Sequence, residues 1–508
     1  MASRSLAAWA VLAAIILAIN LGAYPLLDPD EGRNGEVGRE MAATNDYVMP
    51  RLDGLPYLDK PIVYFAAEAA VMEVAGPTEF AARFPAWLFT IATALLIAWF
   101  ATRAGINAPA AAIMFLSMPL TIAFARTVIF DSALAFFITA ALIAFYLEKP
   151  TAAWAAMAFG VITKGPVALA IPLIVAIPYA IWRKRARTLI SVAGAILFVV
   201  IIAPWVWAVS RVVPDFLKYV LVTETAQRLT TGALKRTGPP WYFIPYLLGG
   251  ALPWIFGTWS RLSRRLEPAE SRLHVYLMLW IAVPFIFFSL SQSKRPQYIL
   301  PLMPAIALLA AKRWDRQRAA AIALAIIGAL MLAALPFVNI PFGGGTAIII
   351  GAAALICGAI AIFTRGAFAL IALSIPMLLI PIVTGGVMRS IAGRRSEKAF
   401  VSDLRPFLGS GDVVGIQAFT GTMEFYLQRP IILVSRTGEE LTSNYIIRHY
   451  SDFAGRLKPP EWLQDELKKR GTLFIVRNND AVNRGQVEAH GGRLVAESPH
   501  FVAYTMPP

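Results

Sequence analysis

SLAAWAVLAAIILAINLGAYPLLDPDEGRNGE (residues 5–36) runs from apolar to acidic within a few positions. Residues 6–24 are long and apolar enough to cross a bilayer. Asp28, Asp30 and Glu31 follow at the mouth of that span. Carboxylates crowded at a membrane interface repel one another and gain nothing from lipid, so they imply a partner or a task. Arg4 ahead of the apolar run has the look of a secretory signal. Its length favours an uncleaved anchor, with a cleaved signal as the alternative.

The rest of the chain extends this pattern. Of its 508 residues, 58% are hydrophobic and 15% charged, with a mean hydropathy of +0.62. Soluble chains carry about a quarter charged residues, so the class is a polytopic membrane protein. About thirteen apolar segments are candidates to span. They are 6–24, 80–101, 108–125, 131–147, 151–163, 166–182, 188–209, 241–259, 274–290, 296–311, 318–337, 345–363 and 367–387. Residues 62–76 are too short to span and contain Glu68 and Glu73, which fits an amphipathic helix at the interface. With the N-terminus in the cytoplasm, WRKRAR (182–187), SRLSRRLEPAESR (260–272) and KRWDRQR (312–318) fall inside. That is the positive-inside pattern, and it accounts for much of the +15 net charge without nucleic acid.

Residues 1–389 form the expected transmembrane catalytic domain, and 390–508 a small α/β domain on the outer face. In the latter, GDVVGIQAF and GTLFIVRNN look like strands and PPEWLQDELKKRG like a helix. The single cysteine, Cys357, permits no intrachain disulfide. The four histidines show no metal-ligand spacing. No metal site is required, although the acid cluster could hold a divalent ion weakly, and no cofactor is implied.

Outer loops should be poor in Lys and Arg, yet they hold several. Such charges face a cavity and a partner: the loop carboxylates, or a phosphate at headgroup depth. Four motifs concentrate them. In PDEGRNGEVGREM (29–41), Asp30 is placed as the N-cap of a helix starting at Glu31, with Asp28 and Arg33 beside it. Capping alone is the alternative reading, but a cap needs one carboxylate. In LPYLDKPIVYF (55–65), Pro61 forces Lys60 out of the helical region, close to Tyr57. In FARTVIFDSALAFF (124–137), Arg126 and Asp131 bracket two span ends, either functionally or as a structural ion pair. In SLSQSKRPQYILPLMP (289–304), Lys294 and Tyr298 flank a short loop, with interface anchoring as the alternative. The long loop adds Glu224 and Arg228 on one helical face, where a surface pair is the bland reading.

PDEGR with GREM, then PRLDGLPYLDKP, TKGPVAL, PPWYFIPYLLGGALPW and the lysine–tyrosine run ending at Pro301 resemble bacterial membrane glycosyltransferases of the GT-C fold. The likeness is to the lipid A aminoarabinose transferases and the protein O-mannosyltransferases, and it covers about residues 1–320. It implies an all-α fold of thirteen spans with interfacial helices in the first outer loop and an outer soluble domain. It also implies inverting transfer of a sugar from a polyprenyl-phosphate donor, such as undecaprenyl phosphate, at the periplasmic side of the inner membrane. The acceptor would be lipid A, another envelope glycan or a protein. By the resemblance, Asp30 matches the family's acid, with Glu31 beside it, and Asp131 matches a second loop acid. Lys60 and Tyr57 match the donor-phosphate pair, and Lys294 and Tyr298 the late motif. Arg295-Pro296 departs from the aminoarabinose transferases, which separates sugar specificity from the match.

The chemistry expected of these residues is simple. The leaving phosphate keeps its charge and needs cations: Lys60, with Arg228 or Lys294 assisting. The acceptor oxygen needs orienting and, where protonated, a base: Asp30, with Glu31 or Asp131 in support. Carboxylates gathered in a low-dielectric site hold a proton more readily, which suits a base near neutral pH. A transporter or flippase would also carry charges at membrane depth. Such proteins often show repeat symmetry, which this sequence lacks.

Overall fold

The apolar segments become helices because their neighbours leave the backbone no other way to satisfy its polar groups in lipid. The computed structural model describes residues 2–220, 238–258, 268–338, 343–453 and 455–506. The chain divides into two compact units. One comprises Met1–Leu21 with Arg83–Val387, the other Gly22–Ala82 with Met388–Pro508. The stretch after the first helix therefore clusters with the C-terminal residues.

The first unit is helical. Among the described residues, six helices reach the length and apolarity needed to cross a membrane, and four more are apolar but shorter. The segment expected at 108–125 is two helices, Ala108–Leu116 and Pro119–Phe124, since Pro119 has no N–H to continue the first. Pro253 divides 241–259 likewise into Phe243–Gly250 and Trp254–Thr258. The indole of Trp254 spans to Ser117 Oγ at 2.9 Å, which ties the two breaks together. Only 6% of the apolar window in Ala186–Val212 is buried. A helix apolar on every face and left uncovered by protein is in contact with lipid. This is a multi-pass membrane protein.

Close helix packing in this unit uses small residues. A Cβ at Gly328 would stand 2.4 Å from Leu355 N, and one at Gly358 would stand 2.6 Å from Ala325 N. Those glycines let Arg318–Ala334 and Gly344–Phe363 meet backbone to backbone. Two arginines finish the first helix. Buried Arg83 donates to Leu21 O at 2.9 Å, and Arg126 donates to Leu17 O and Ile19 O, each at 2.6 Å. Cations there satisfy end carbonyls and complement the helix dipole.

The second unit begins with the helix Asp30–Thr44, a hairpin of strands β1 (Arg51–Leu52) and β2 (Leu55–Pro56), and the helix Val63–Ala75. Asp53 and Gly54 form the hairpin's two-residue turn, both at positive φ, as that turn demands. Its C-terminal part carries strands β3 (Val413–Ile416), β4 (Ile432–Val434), β5 (Leu473–Arg477), β6 (Arg493–Glu497) and β7 (Phe501–Thr505). They form one mixed sheet in the order β4-β3-β5-β7-β6. β3 pairs parallel with both neighbours, and β7 pairs antiparallel with β5 and β6. β3 is buried along its length and β5 over Leu473–Val476, which explains their unbroken apolar runs. The two expected strands are β3 and β5. The expected helix at 459–471 is shorter: a 3₁₀ turn, Pro460–Trp462, and one helical turn, Leu463–Glu466.

Candidate active site

Three glycines of the first motif, Gly32, Gly35 and Gly38, thin one side of the helix Asp30–Thr44. A Cβ at Gly32 would lie 2.5 Å from Thr422 N, and one at Gly38 would lie 2.8 Å from Glu68 Cβ. Side chains on the helices Gly421–Leu427 and Val63–Ala75 are thereby brought against the motif. Asp28 fixes this approach. Its carboxylate accepts from the backbone N–H of Thr422 at 3.1 Å and from the Thr422 hydroxyl. Burial raises its pKa against the pull of those bonds.

The three acids at the loop mouth have different surroundings. Asp30 is the first residue of the helix, not its cap. Pro29 occupies the cap position and makes no side-chain cap bond, while the Asp30 carboxylate pairs with Arg33, one turn on, at 2.8 Å. Glu31 is buried and reaches back to the N–H of Leu27 at 3.0 Å, taking the capping task. Arg33 also donates to Thr442 Oγ1 at 2.9 Å and lies 5.9 Å from the centre of the Tyr57 ring. Tyr57 is buried edge-to-face on Phe65. Lys60 sits in the bend before Val63–Ala75, and its ammonium bonds the carbonyl of Asp59. Asp30, Arg33, Tyr57 and Lys60, separated by up to thirty positions, thus belong to one unit.

Asp59 is a residue the sequence reading passed over. Its carboxylate receives the N–H groups of Asn444 and Tyr445 at 2.9 and 3.1 Å and so holds the helix Asn444–Arg448. Its place directly before Lys60-Pro61 was the available signal. Glu68, expected on an interfacial helix, is buried, and neither carboxyl oxygen has a hydrogen-bond partner among the described residues. Burial, with Glu31 adding to it, pushes its pKa well above the carboxylate range.

Deeper in the same unit lies a second acid group that the sequence did not show. Arg39 donates to Glu36 Oε2 at 2.7 Å and Oε1 at 2.5 Å. Glu36, Glu40 and Glu424 each offer one oxygen, all within 4.8 Å of one another. These are the described residues whose arrangement would suit a metal ion. Burial, with Glu36, Asp53 and Glu40 nearby, pushes Glu424 well above the usual range, and burial pushes Asp53 up to about 7. Protons or a cation relieve the same repulsion.

The first unit holds the later candidates. Asp131 is buried at the start of the helix Asp131–Tyr146 and pairs with Lys164, the last residue of Pro150–Lys164. Its Oδ2 has no hydrogen-bond partner among the described residues. The Lys164 ammonium is 5.3 Å from the centre of the Tyr298 ring. Lys164, the cation of TKGPVAL, is the partner of Asp131 that the sequence alone could not assign. Lys294 is buried and donates to Ser291 O at 2.6 Å. Arg126, a further candidate, donates to carbonyls at the end of the first helix. Glu224 and Arg228 lie outside the described residues.

Comparisons with known proteins converge. Residues 7–220 match the family model of dolichyl-phosphate-mannose-protein mannosyltransferases. The chain is 33% identical over 324 residues to an undecaprenyl phosphate-alpha-4-amino-4-deoxy-L-arabinose arabinosyl transferase of Serratia proteamaculans, covering 60% of this chain and 58% of that one. A transferase of the same name from Erwinia tasmaniensis is 31% identical over 349 residues, covering 65% and 62%. The matches thus span less than two thirds of these relatives. The crystal structure of ArnT from Cupriavidus metallidurans in the apo state has a TM-score of 0.84 at 25% identity, covering 99% of this chain and 98% of that one. The same protein bound to undecaprenyl phosphate also gives 0.84, at 24% identity.

Proposed function

From the chain's likeness to protein O-mannosyltransferases and lipid A aminoarabinose transferases, we propose that it is a membrane glycosyltransferase of their GT-C superfamily. It moves a sugar from a polyprenyl-phosphate donor to an envelope acceptor such as lipid A. The observation that carries this reading is the gathering of Asp30, Arg33, Tyr57 and Lys60 in one unit, from two separate motifs. Thirteen spans, a cytoplasmic N-terminus and a periplasmic C-terminal part complete the proposal. The basic loops at 182–187, 260–272 and 312–318 support that orientation.

The acceptor oxygen attacks the anomeric carbon as the bond to the donor phosphate breaks, inverting that centre. The polyprenyl phosphate leaves with its negative charge, and Lys60 stabilises it. Asp30, held in place by Arg33, orients the acceptor and takes its proton where the nucleophile is a hydroxyl. No step requires a metal, and a divalent ion at the acid group would be structural. The family model favours a second reading in which the acceptor is a protein hydroxyl.

The test incubates purified protein with polyprenyl-phosphate sugars and total envelope lipids and proteins. Free polyprenyl phosphate and a mass shift on an acceptor are the readouts. Asp30→Asn is expected to abolish turnover while donor binding and folding persist. Transfer by that variant at the wild-type rate would remove Asp30 from the reaction.

A further inference from the structure

The second unit contains a cavity of about 730 Å³, well within the size range of small-ligand sites. It meets the candidate residues described above only at Asp28. Arg394, Arg395, Arg477 and His500 line it, brought together from three separate stretches of chain. Two of these cations are anchored on one edge and open on the other. Arg395 donates from Nε and Nη2 to the carbonyl of Asp28 at 3.1 and 2.5 Å. Arg477 donates from Nε to Gln417 O at 2.6 Å. Arg395 Nη1 and both terminal nitrogens of Arg477 have no hydrogen-bond partner among the described residues. His500 Nε2 lies 2.9 Å from the carbonyl of Arg394.

The two acids in the wall do little to cancel this charge. The Asp28 carboxylate is turned to Thr422. Glu397 is buried, and that burial raises its pKa, favouring the neutral form. Phe419 and Phe501 add buried aromatic walls, and Thr420 and Asn479 add neutral polar groups. Guanidinium groups fixed through one edge present the remaining donors as a rigid fork, the geometry that fits phosphate. Aromatic walls with a few hydroxyl and amide groups suit the faces and hydroxyls of a sugar ring.

We propose that this cavity binds a phosphorylated saccharide, with Arg395 and Arg477 on the phosphate and Phe419 and Phe501 against the ring. In the transferase the ligand is the headgroup of the acceptor glycan, an assignment that rests on the function proposed above. The binding of a sugar phosphate does not rest on it.

The experiment uses the full chain in nanodiscs of neutral lipid. Calorimetric titration compares glucosamine phosphate, glucosamine, inorganic phosphate and an acidic peptide. Glucosamine phosphate is expected to bind most tightly and glucosamine least. The double variant Arg395→Gln, Arg477→Gln is expected to weaken glucosamine phosphate by roughly ten- to a hundredfold, with polyprenyl-phosphate binding unchanged. Should the double variant fail to fold, Arg477→Gln alone carries the test. Equal binding by variant and wild type, glucosamine binding as tightly as its phosphate, or an acidic peptide binding as well as the sugar phosphate would each overturn the proposal. Inorganic phosphate binding as tightly as the sugar phosphate would overturn the saccharide part. Release of polyprenyl phosphate by a protein that binds no sugar phosphate would refute the cavity assignment alone. Sugar-phosphate binding without release from any donor would refute the transferase reading alone and leave this site standing.

Discussion

Replacing Gly421 with alanine tests the packing on which the candidate site depends. The new Cβ would lie 2.2 Å from Arg33 N, 2.4 Å from Gly32 C and 2.5 Å from Arg33 Cα. All three are backbone atoms of the helix Asp30–Thr44, so no side chain can swing aside. Carbon contacts settle at about 3.5–4.0 Å, so the helices must part by roughly 1 Å. Overpacking of this kind costs about 1–3 kcal/mol. Parting also stretches the bonds from Thr422 to the Asp28 carboxylate, and a bond to a charged group contributes about 1.5–3 kcal/mol. Alanine returns at most about 1 kcal/mol of backbone entropy. The net loss is about 2–4 kcal/mol, equivalent to a fall in the melting temperature of roughly 5–15 °C. Gly485 is the control. It lies in the helix Ala481–Ala489 with nothing within 4 Å of its added Cβ, so Gly485→Ala should raise the melting temperature slightly. Scanning calorimetry of the full chain in detergent measures both. Gly421→Ala melting within about a degree of wild type would refute the close-approach argument.

Asp131→Asn should strand Lys164 and lower stability by about 3–5 kcal/mol, while adding Lys164→Met should recover most of it. Thermal midpoints of the three variants decide this, and a harmless single variant would show the pair to be dispensable. Lys60→Met should weaken polyprenyl-phosphate binding by about tenfold or more, as read by titrating the full chain with polyprenyl phosphate. Unchanged binding would remove Lys60 from the donor site. For pH, Asp53 holds its proton up to about 7 when folded, against an ordinary value of 3.8, and Glu424 is raised further. The folded unit therefore binds protons that the unfolded chain has already released. That stabilisation is complete below about pH 4 and is lost as pH rises through about 7. Melting temperature should fall over that interval, and Glu424→Gln, a mimic of the protonated acid, should flatten the decline.

The sequence by itself determined the membrane class, because long apolar segments and basic loops are local properties that lipid reads directly. It also showed the strands at Val413–Ile416 and Leu473–Arg477 and the bend that holds Lys60 before Pro61. It offered Asp30, Lys60 and Asp131 as candidates, because chemistry at an interface leaves charged residues where lipid would otherwise exclude them, and Tyr57 through the family resemblance. It placed Asp30 as a cap, since local propensity cannot tell that Arg33 takes its carboxylate while Glu31 bonds the Leu27 N–H. Only the tertiary structure decided that residues 22–82 and the C-terminal residues form one unit. Pairings such as Asp28 with Thr422, Asp59 with Asn444, and Glu36 and Glu40 with Glu424 cross nearly four hundred positions. No local pattern encodes contacts at that separation. The approach of Thr422 to Asp28 exists because Gly32 and Gly421 remove the side chains that would have kept those backbones apart.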